Sequence, residues 1–187
     1  MIKKLYFITS NKGKFVEAQK KFLEIDIELV QKDIGYPEIQ AINLEDVALY
    51  GALDVQKRIS HPFILEDAGL FIDGLDGFPG VYSAYVYHTI GCEGILNLMK
   101  NIKDTREAVF KSVFAFVYAD DKPRFFNGEC RGLISTEQKG ENGFGYDPIF
   151  IPGNQSKTFA EMDINTKNMY SHRGKSLNKL VDFFKNR

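Results

Sequence analysis

The chain of 187 residues contains no tryptophan, two cysteines and three histidines, and these scarcities exclude several kinds of site. Cys92 and Cys130 are far apart and neither belongs to a CxxC pair. They therefore indicate buried thiols in a reducing compartment, not a disulfide framework or a zinc site. The histidines, at positions 61, 88 and 172, show no metal-ligand spacing.

The sequence also lacks a charge excess and a long apolar run. Its net charge is −1, so nothing attracts the whole molecule to nucleic acid or to an acidic membrane. No stretch approaches the roughly 20 apolar residues that span a bilayer. Two lysines precede an apolar run at residues 5–8, but that run is too short for the core of a signal peptide. We therefore expect a cytoplasmic protein.

What the chain does contain is a hydrophobic fraction of 44%, enough for the core of one domain over residues 1–187. Periodicity and turn signals predict early alternation of strands and helices, followed by a hairpin. The predicted strands cover residues 4–9, 27–31, 63–67, 108–118 and 124–135. The predicted helices cover residues 14–24, 44–59, 93–102 and 163–186, the last interrupted near 172–174. This order predicts an α/β fold with a mixed sheet.

Two adjacent acids, Glu66 and Asp67, follow the apolar residues 63–65 and precede a glycine-rich stretch. Neighbouring carboxylates at the end of a covered strand repel each other, and a divalent metal would relieve that repulsion. A hard cation beside a flexible backbone suggests phosphate chemistry. The alternative is a solvated turn with Asp67 as a local turn former.

A second polar segment, TSNKGK, lies between the first strand and the first helix. Backbone N–H groups at a helix start attract anions, and Lys12 and Lys14 add charges suited to phosphate. The alternative is an ordinary capping turn with two exposed lysines. Glu38, in the loop YPEIQA, becomes informative only as a further metal ligand beside Asp67.

Two later segments offer groups that could bind a nucleoside. In GFGYDPIF, residues 143–150, aromatic rings could stack on a base, although such turns often pack into the core instead. In SHRGKS, residues 171–176, His172 and Arg173 could donate hydrogen bonds, and Lys167 adds another cation. The alternative is a basic helix face. Taken together, these segments fit a nucleoside triphosphate.

The same segments, in this order, resemble the inosine triphosphate pyrophosphatase family. The matching pieces run over residues 9–177 and read TSNKGKFVE, PEIQ, EDAGLFIDGLDGFPGVYSA, GFGYDPIF, FAEM and SHRGKSL. The resemblance implies an elongated mixed β-sheet flanked by helices, with two lobes and a central cleft, and a homodimer. It also implies hydrolysis of ITP, dITP or XTP to the monophosphate and pyrophosphate, with Mg²⁺ as the metal and Mn²⁺ as an alternative.

By motif position, the resemblance implies that Asp67 is the general base and that Glu38, Asp67 and Glu66 form the metal site. The residues implied in substrate binding are Thr9, Ser10, Asn11, Lys12, Gly13, Lys14, Ala68, Phe144, Gly145, Tyr146, Asp147, Lys167, His172 and Arg173.

Two positions depart from the family pattern. Gly51 stands where a lysine is usual, and Tyr85 stands where a basic residue is usual. Both replacements reduce the positive charge expected around the phosphates. The alternatives left open are a pyrophosphatase for pyrimidine or modified nucleotides, a nucleotide-binding protein without turnover, and a nucleic-acid binder, which the charge balance disfavours.

Overall fold

The structure is a computed structural model that describes residues 2–102 and 105–186. The strands are β1 Lys4–Ile8, β2 Glu28–Lys32, β3 Phe63–Ile72, β4 Pro79–Gly80, β5 Glu107–Val117, β6 Arg124–Ile134 and β7 Phe150–Pro152. The helices are α1 Lys12–Leu23, α2 Leu44–Gln56, α3 Ser83–Met99, α4 Ile164–Tyr170 and α5 His172–Lys185. Short 3₁₀ turns cover Asp73–Leu75, Asp147–Ile149 and Phe159–Glu161.

The strands form one mixed sheet in the order β2-β1-β3-β5-β6-β7, with β4 paired to β3 outside that path. β1 is parallel to both β2 and β3, whereas β4 is antiparallel to β3 and β7 is antiparallel to β6. The predicted α/β class with a mixed sheet is therefore confirmed.

The chain divides into two compact units, each with its own core. Unit 1 comprises residues 1–67, 112–128 and 175–187, and unit 2 comprises residues 68–111 and 129–174. In unit 1, Phe7 of β1, Phe22 of α1 and Leu180 of α5 belong to one buried apolar cluster. In unit 2, Ile95 of α3 and Phe150 of β7 belong to another. The division agrees with the two lobes that the resemblance implies.

The prediction that β3 ends at Asp67 is wrong, because the strand continues to Ile72. The neighbouring strand β1 pairs only with Phe63–Leu65, so β1 ends just where the two acids begin. Further along, β3 pairs with β4 instead. Glu66 and Asp67 therefore lie in the middle of β3. They nevertheless lie just beyond the carboxyl end of β1, the strand parallel to β3.

The predicted helix at residues 93–102 corresponds only to the second half of α3, because α3 begins at Ser83. Residues 83–90 read SAYVYHTI, and their aromatic and β-branched side chains favour a strand when taken alone. Gly91 interrupts the helix with a φ of 62°, a conformation that glycine adopts without steric cost. No helix in the described part of the chain is long and apolar enough to cross a membrane.

Other local predictions are confirmed. Asn43 caps α2, and its side chain accepts a hydrogen bond of 2.8 Å from the backbone N–H of Asp46. Cys92 and Cys130 are buried free thiols. The C-terminal helical region is interrupted at Ser171, close to the predicted break.

Candidate active site

The TSNKGK segment forms the N-terminus of α1, as its pattern predicts. Asn11 is the N-cap, and its side-chain oxygen accepts a hydrogen bond of 3.0 Å from the backbone N–H of Lys14. The hydroxyl of Thr9 accepts one of 3.1 Å from the N–H of Asn11. Ser10 and Lys12 are exposed, while Gly13 and Lys14 are half-buried. The first turn of α1 contains no acid, so its backbone donors and lysines favour an anion.

Lys14 reaches from α1 to Glu66 on β3. Its ammonium donates to the backbone carbonyl of Glu66 at 3.1 Å and lies 3.4 Å from the carboxylate atom Oε2. The Glu66 side chain is fully buried, whereas that of Lys14 is 19% exposed. A buried carboxylate needs both a counter-charge and hydrogen-bond donors, and Lys14 supplies the charge.

Two serines that sequence reasoning missed are linked to Glu66 through hydroxyl contacts. Ser112 of β5 donates a hydrogen bond of 2.6 Å to Glu66 Oε1, and its hydroxyl oxygen lies 2.8 Å from that of Ser176 on α5. Both serines are buried. Ser112 is a hydroxyl residue within an otherwise apolar stretch of β5, SVFAFV, and such a residue requires a hydrogen-bond partner when buried. A serine in this apolar stretch was therefore the sequence signal that could have indicated Ser112.

Tyr36 is a further residue that the motifs did not indicate. Burial of its hydroxyl raises the pKa of Tyr36 above its ordinary value, and the negative charges of Asp67, Glu38 and Glu66 raise it further, in that order. The structure therefore brings the three acids of the predicted metal site near one phenol. Glu38 is exposed and Asp67 is half-buried.

Gly51 of α2 is explained by the same tyrosine. A Cβ at position 51 would lie 2.6 Å from Cδ2 and 2.8 Å from Cε2 of the Tyr36 ring. The aromatic ring therefore occupies the space beside the helix where a longer side chain would begin. The glycine at position 51, which departs from the family pattern, leaves room for the ring of Tyr36.

We expect Gly51→Ala to destabilise the protein by about 1 kcal/mol, although alanine is the better helix former. Overpacking costs about 1–3 kcal/mol, whereas the gain in helix propensity is only about 0.8–1.0 kcal/mol. Urea unfolding measures the difference. In a Tyr36→Ala background the same substitution should become stabilising. An increase in stability from Gly51→Ala in the original chain would show that the ring moves aside without cost.

The residues present fit a hard divalent cation. Within the described ranges, 2–102 and 105–186, no group of three or more His, Cys, Asp or Glu side chains is arranged to hold a metal ion. Mg²⁺, however, commonly binds through one or two carboxylates, together with waters and substrate phosphates. Asp67 and Glu38 supply the oxygen donors that such a site requires.

In unit 2, the GFGYDPIF segment is organised around a buried ion pair. Asp147 is buried, and its Oδ2 accepts hydrogen bonds from the ammonium of Lys167 at 2.6 Å and from the backbone N–H of Phe144 at 2.7 Å. A Cβ at Gly143 would collide with Asp147 Oδ2, and Gly143 also has a φ of 76°. Glycine is therefore required for the loop to fold over the carboxylate.

Phe144 lies beside two cations. Lys167 Nζ lies 4.7 Å from the centre of its ring, and Arg173 Cζ lies 5.2 Å from it. Both cations are buried, while Phe144 is half-buried. Aromatic faces attract cations, so these contacts fix the orientation of the ring. Gly145, with a φ of 62°, follows it.

His172, at the start of α5, stacks on Phe110 of β5. The ring centres are 4.5 Å apart and the planes differ by 8°. Gly174 allows the break between α4 and α5, because a Cβ there would collide with the backbone carbonyl of Asn168. The hydroxyl of Ser171 also accepts a hydrogen bond from the N–H of Gly174.

Tyr146 is anchored in the core of unit 2. Its hydroxyl donates a hydrogen bond of 3.1 Å to the backbone carbonyl of Ser83, and its ring makes an edge contact with Tyr87. Burial raises the pKa of Tyr146, and the nearby Cys92 and Tyr87 raise it further. These contacts hold the GFGYDPIF segment against α3. Ala68, the first residue of unit 2, is half-buried, and Tyr85 is largely exposed.

The sequence matches a model of the Ham1 family over residues 5–183. The chain belongs to the Ham1 family. A protein of this kind from Pyrococcus horikoshii, named dITP/XTP pyrophosphatase, is 53% identical over 182 residues, which are 97% of each chain. A protein of the same name from Thermococcus kodakarensis is 50% identical over 97% of each chain. The predicted family is thereby confirmed.

Solved Ham1 structures have the same fold as this family member. A HAM1 protein from Coxiella burnetii superposes with a TM-score of 0.87 at 27% identity, over 100% of both chains. The Ham1 protein of Staphylococcus aureus superposes with a TM-score of 0.84 at 29% identity, over 98% of this chain and 99% of that one.

Proposed function

We propose that this Ham1-family protein hydrolyses deaminated purine nucleoside triphosphates, ITP, dITP and XTP, to the monophosphate and pyrophosphate. The observation that carries the proposal is its similarity, over nearly the whole chain, to proteins named dITP/XTP pyrophosphatase. Such an enzyme removes deaminated nucleotides from the pool available for nucleic-acid synthesis.

The residues of unit 1 carry the phosphate chemistry in this proposal. The N-terminus of α1, with Lys12 and Lys14, binds the triphosphate through backbone donors and two cations. Glu38 and Asp67 would hold Mg²⁺, with Glu66 nearby and Mn²⁺ as an alternative metal. When bound, the cation neutralises charge on the phosphate oxygens.

Asp67 is the general base in the proposed reaction. A base must be ionised and within hydrogen-bond reach of the attacking water. Asp67 is half-buried in the middle of β3, close enough to Glu38 and Glu66 for all three to act on Tyr36. It would take a proton from water as the water attacks the α-phosphorus and pyrophosphate leaves.

The residues of unit 2 recognise the nucleoside in this proposal: Ala68, Phe144, Gly145, Tyr146, Asp147, Lys167, His172 and Arg173. Phe144 offers a ring whose orientation is fixed by Lys167 and Arg173. A 6-oxo purine presents an acceptor where adenine presents an amino group, so a donor such as Arg173 would be left unpaired opposite adenine. Sites built on such a bond reject the mismatched analogue by roughly 10⁴-fold.

A panel of triphosphates with Mg²⁺, with pyrophosphate resolved from orthophosphate, tests the proposed activity. We expect dITP, ITP and XTP to yield pyrophosphate, with kcat/KM for dITP roughly 10⁴-fold above that for dATP. The panel includes dUTP and a modified pyrimidine triphosphate. Preferential cleavage of either, or release of orthophosphate alone, would contradict the proposal.

We also propose that the protein is a cytoplasmic homodimer. The two free buried thiols are in keeping with a reducing compartment. The dimer rests on the family resemblance alone. Sedimentation of the purified protein at the monomer mass would reject it.

A further inference from the structure

A chain of four side chains links the core of unit 1 to the phosphate-binding end of α1. The links run from Ser176 on α5 to Ser112 on β5, then to Glu66 on β3 and Lys14 on α1. We propose that Ser112 and Ser176 are positioning residues that act through Glu66 to hold the ammonium of Lys14 ready for a polyphosphate. The inference rests on the proposed function only in taking that polyphosphate to be part of a nucleotide.

Proton counting fixes the direction of the hydrogen bonds. The hydroxyl of Ser112 donates to Glu66 Oε1 at 2.6 Å. A serine hydroxyl has one proton, so Ser112 has no second proton to donate. The contact of 2.8 Å between the serine hydroxyls then requires Ser176 to donate to Ser112. Both donors point toward the carboxylate.

The two oxygens of the Glu66 carboxylate therefore contact different residues. Ser112 binds Oε1 and Lys14 lies beside Oε2. Without the serine, the carboxylate would lose the hydrogen bond that holds Oε1. That loss would weaken the fixed position of the oxygen beside which Lys14 lies. The arrangement thus makes Glu66 an anchor for Lys14, a role that its place in the predicted metal site does not require.

Lys14 benefits from such an anchor because a lysine side chain is otherwise flexible. Its side chain loses rotamer freedom when its ammonium is ordered, and ordering it at the moment of binding would weaken affinity for the anion. In this structure its ammonium already donates to the carbonyl of Glu66 and forms an ion pair with Oε2, while part of the side chain remains exposed. A preorganised cation binds an incoming anion at lower entropic cost.

Pyrophosphate binding, measured by isothermal titration calorimetry in Mg²⁺ buffer, tests the inference without any need for turnover. We expect Ser112→Ala to weaken pyrophosphate affinity by about 10-fold, the value of a hydrogen bond to a charged group. Ser176→Ala should weaken pyrophosphate affinity by about 3-fold, since Ser176 contacts Ser112 and not Glu66 itself. The matched control is Ser135→Ala, which removes a buried hydroxyl that donates to the carbonyl of Glu137 in unit 2. It should leave the affinity unchanged.

A double-mutant cycle separates positioning from a purely structural role. If Ser112 acts through Lys14, then Ser112→Ala should have less than about a twofold effect in a Lys14→Ala background. An equal loss in both backgrounds would overturn the inference, as would pyrophosphate affinity in Ser112→Ala equal to that of the original chain. Failure of the original chain to bind pyrophosphate would also overturn it.

Should Ser112→Ala not fold, Ser112→Cys nearly preserves the side-chain volume but donates only weakly, and the same losses are expected. A protein that binds pyrophosphate in the expected manner but cleaves no triphosphate would reject the proposed function and leave this inference standing. If Ser112→Ala cleaves dITP with unchanged efficiency, the inference is rejected and the proposed function stands.

Discussion

Asp67→Asn will lower turnover of dITP by about 1000-fold, within the range of 10²–10⁴ typical for a general base. The amide keeps the shape of the side chain and an oxygen for the metal, but it cannot accept the proton of the attacking water. Binding should survive, because the proposed triphosphate contacts are made by α1 and Lys14. Calorimetry with an α,β-imido analogue of dITP should give affinities within about threefold for the two proteins.

The control for this substitution is Asp120→Asn, which changes an exposed acid of unit 1. It should have normal turnover. Turnover of Asp67→Asn within about tenfold of the original chain would remove Asp67 from the role of base. Loss of analogue binding together with turnover would instead assign Asp67 mainly to the metal.

Lys167→Met will destabilise the protein by about 3–5 kcal/mol, the usual result of breaking a buried ion pair from one side. Lys167 and Asp147 are almost completely buried, and their contact is 2.6 Å. Methionine fills much of the lysine volume, so the loss comes from removing the charge of Lys167 from beside the Asp147 carboxylate. Urea unfolding measures the change in free energy.

The control for the ion pair is Lys139→Met. Lys139 forms an exposed ion pair with Glu137 at 3.1 Å, and solvent screens such pairs. Its loss should change stability by less than about 0.5 kcal/mol. A loss below about 1 kcal/mol for Lys167→Met would mean that water reaches Asp147, and that the pair does not stabilise the loop.

Local features of this protein were predictable because their causes are local. The cap at Asn43 depends on a side chain three residues from its partner, and the N-terminal turn of α1 depends on Asn11 in the same way. The mixed sheet followed from the order of apolar segments. The family resemblance then placed the motifs along nearly the whole chain.

Other features were not predictable because they depend on contacts between distant segments. The part of β3 beyond Asp67 pairs with β4 at Leu70 and Phe71, so the acids could not be placed in mid-strand from residues 63–67 alone. The partner of Ser112 on α5 is 64 positions away. The ring of Tyr36 explains Gly51, although neither residue suggests the other in the sequence.

The most direct test of the account is hydrolysis of dITP in water enriched in ¹⁸O. If the carboxylates near Tyr36 deliver water to the α-phosphorus, a single labelled oxygen will appear in dIMP and none in pyrophosphate, and dATP will give almost no labelled monophosphate. Label in pyrophosphate would show attack at the β-phosphorus and contradict the account.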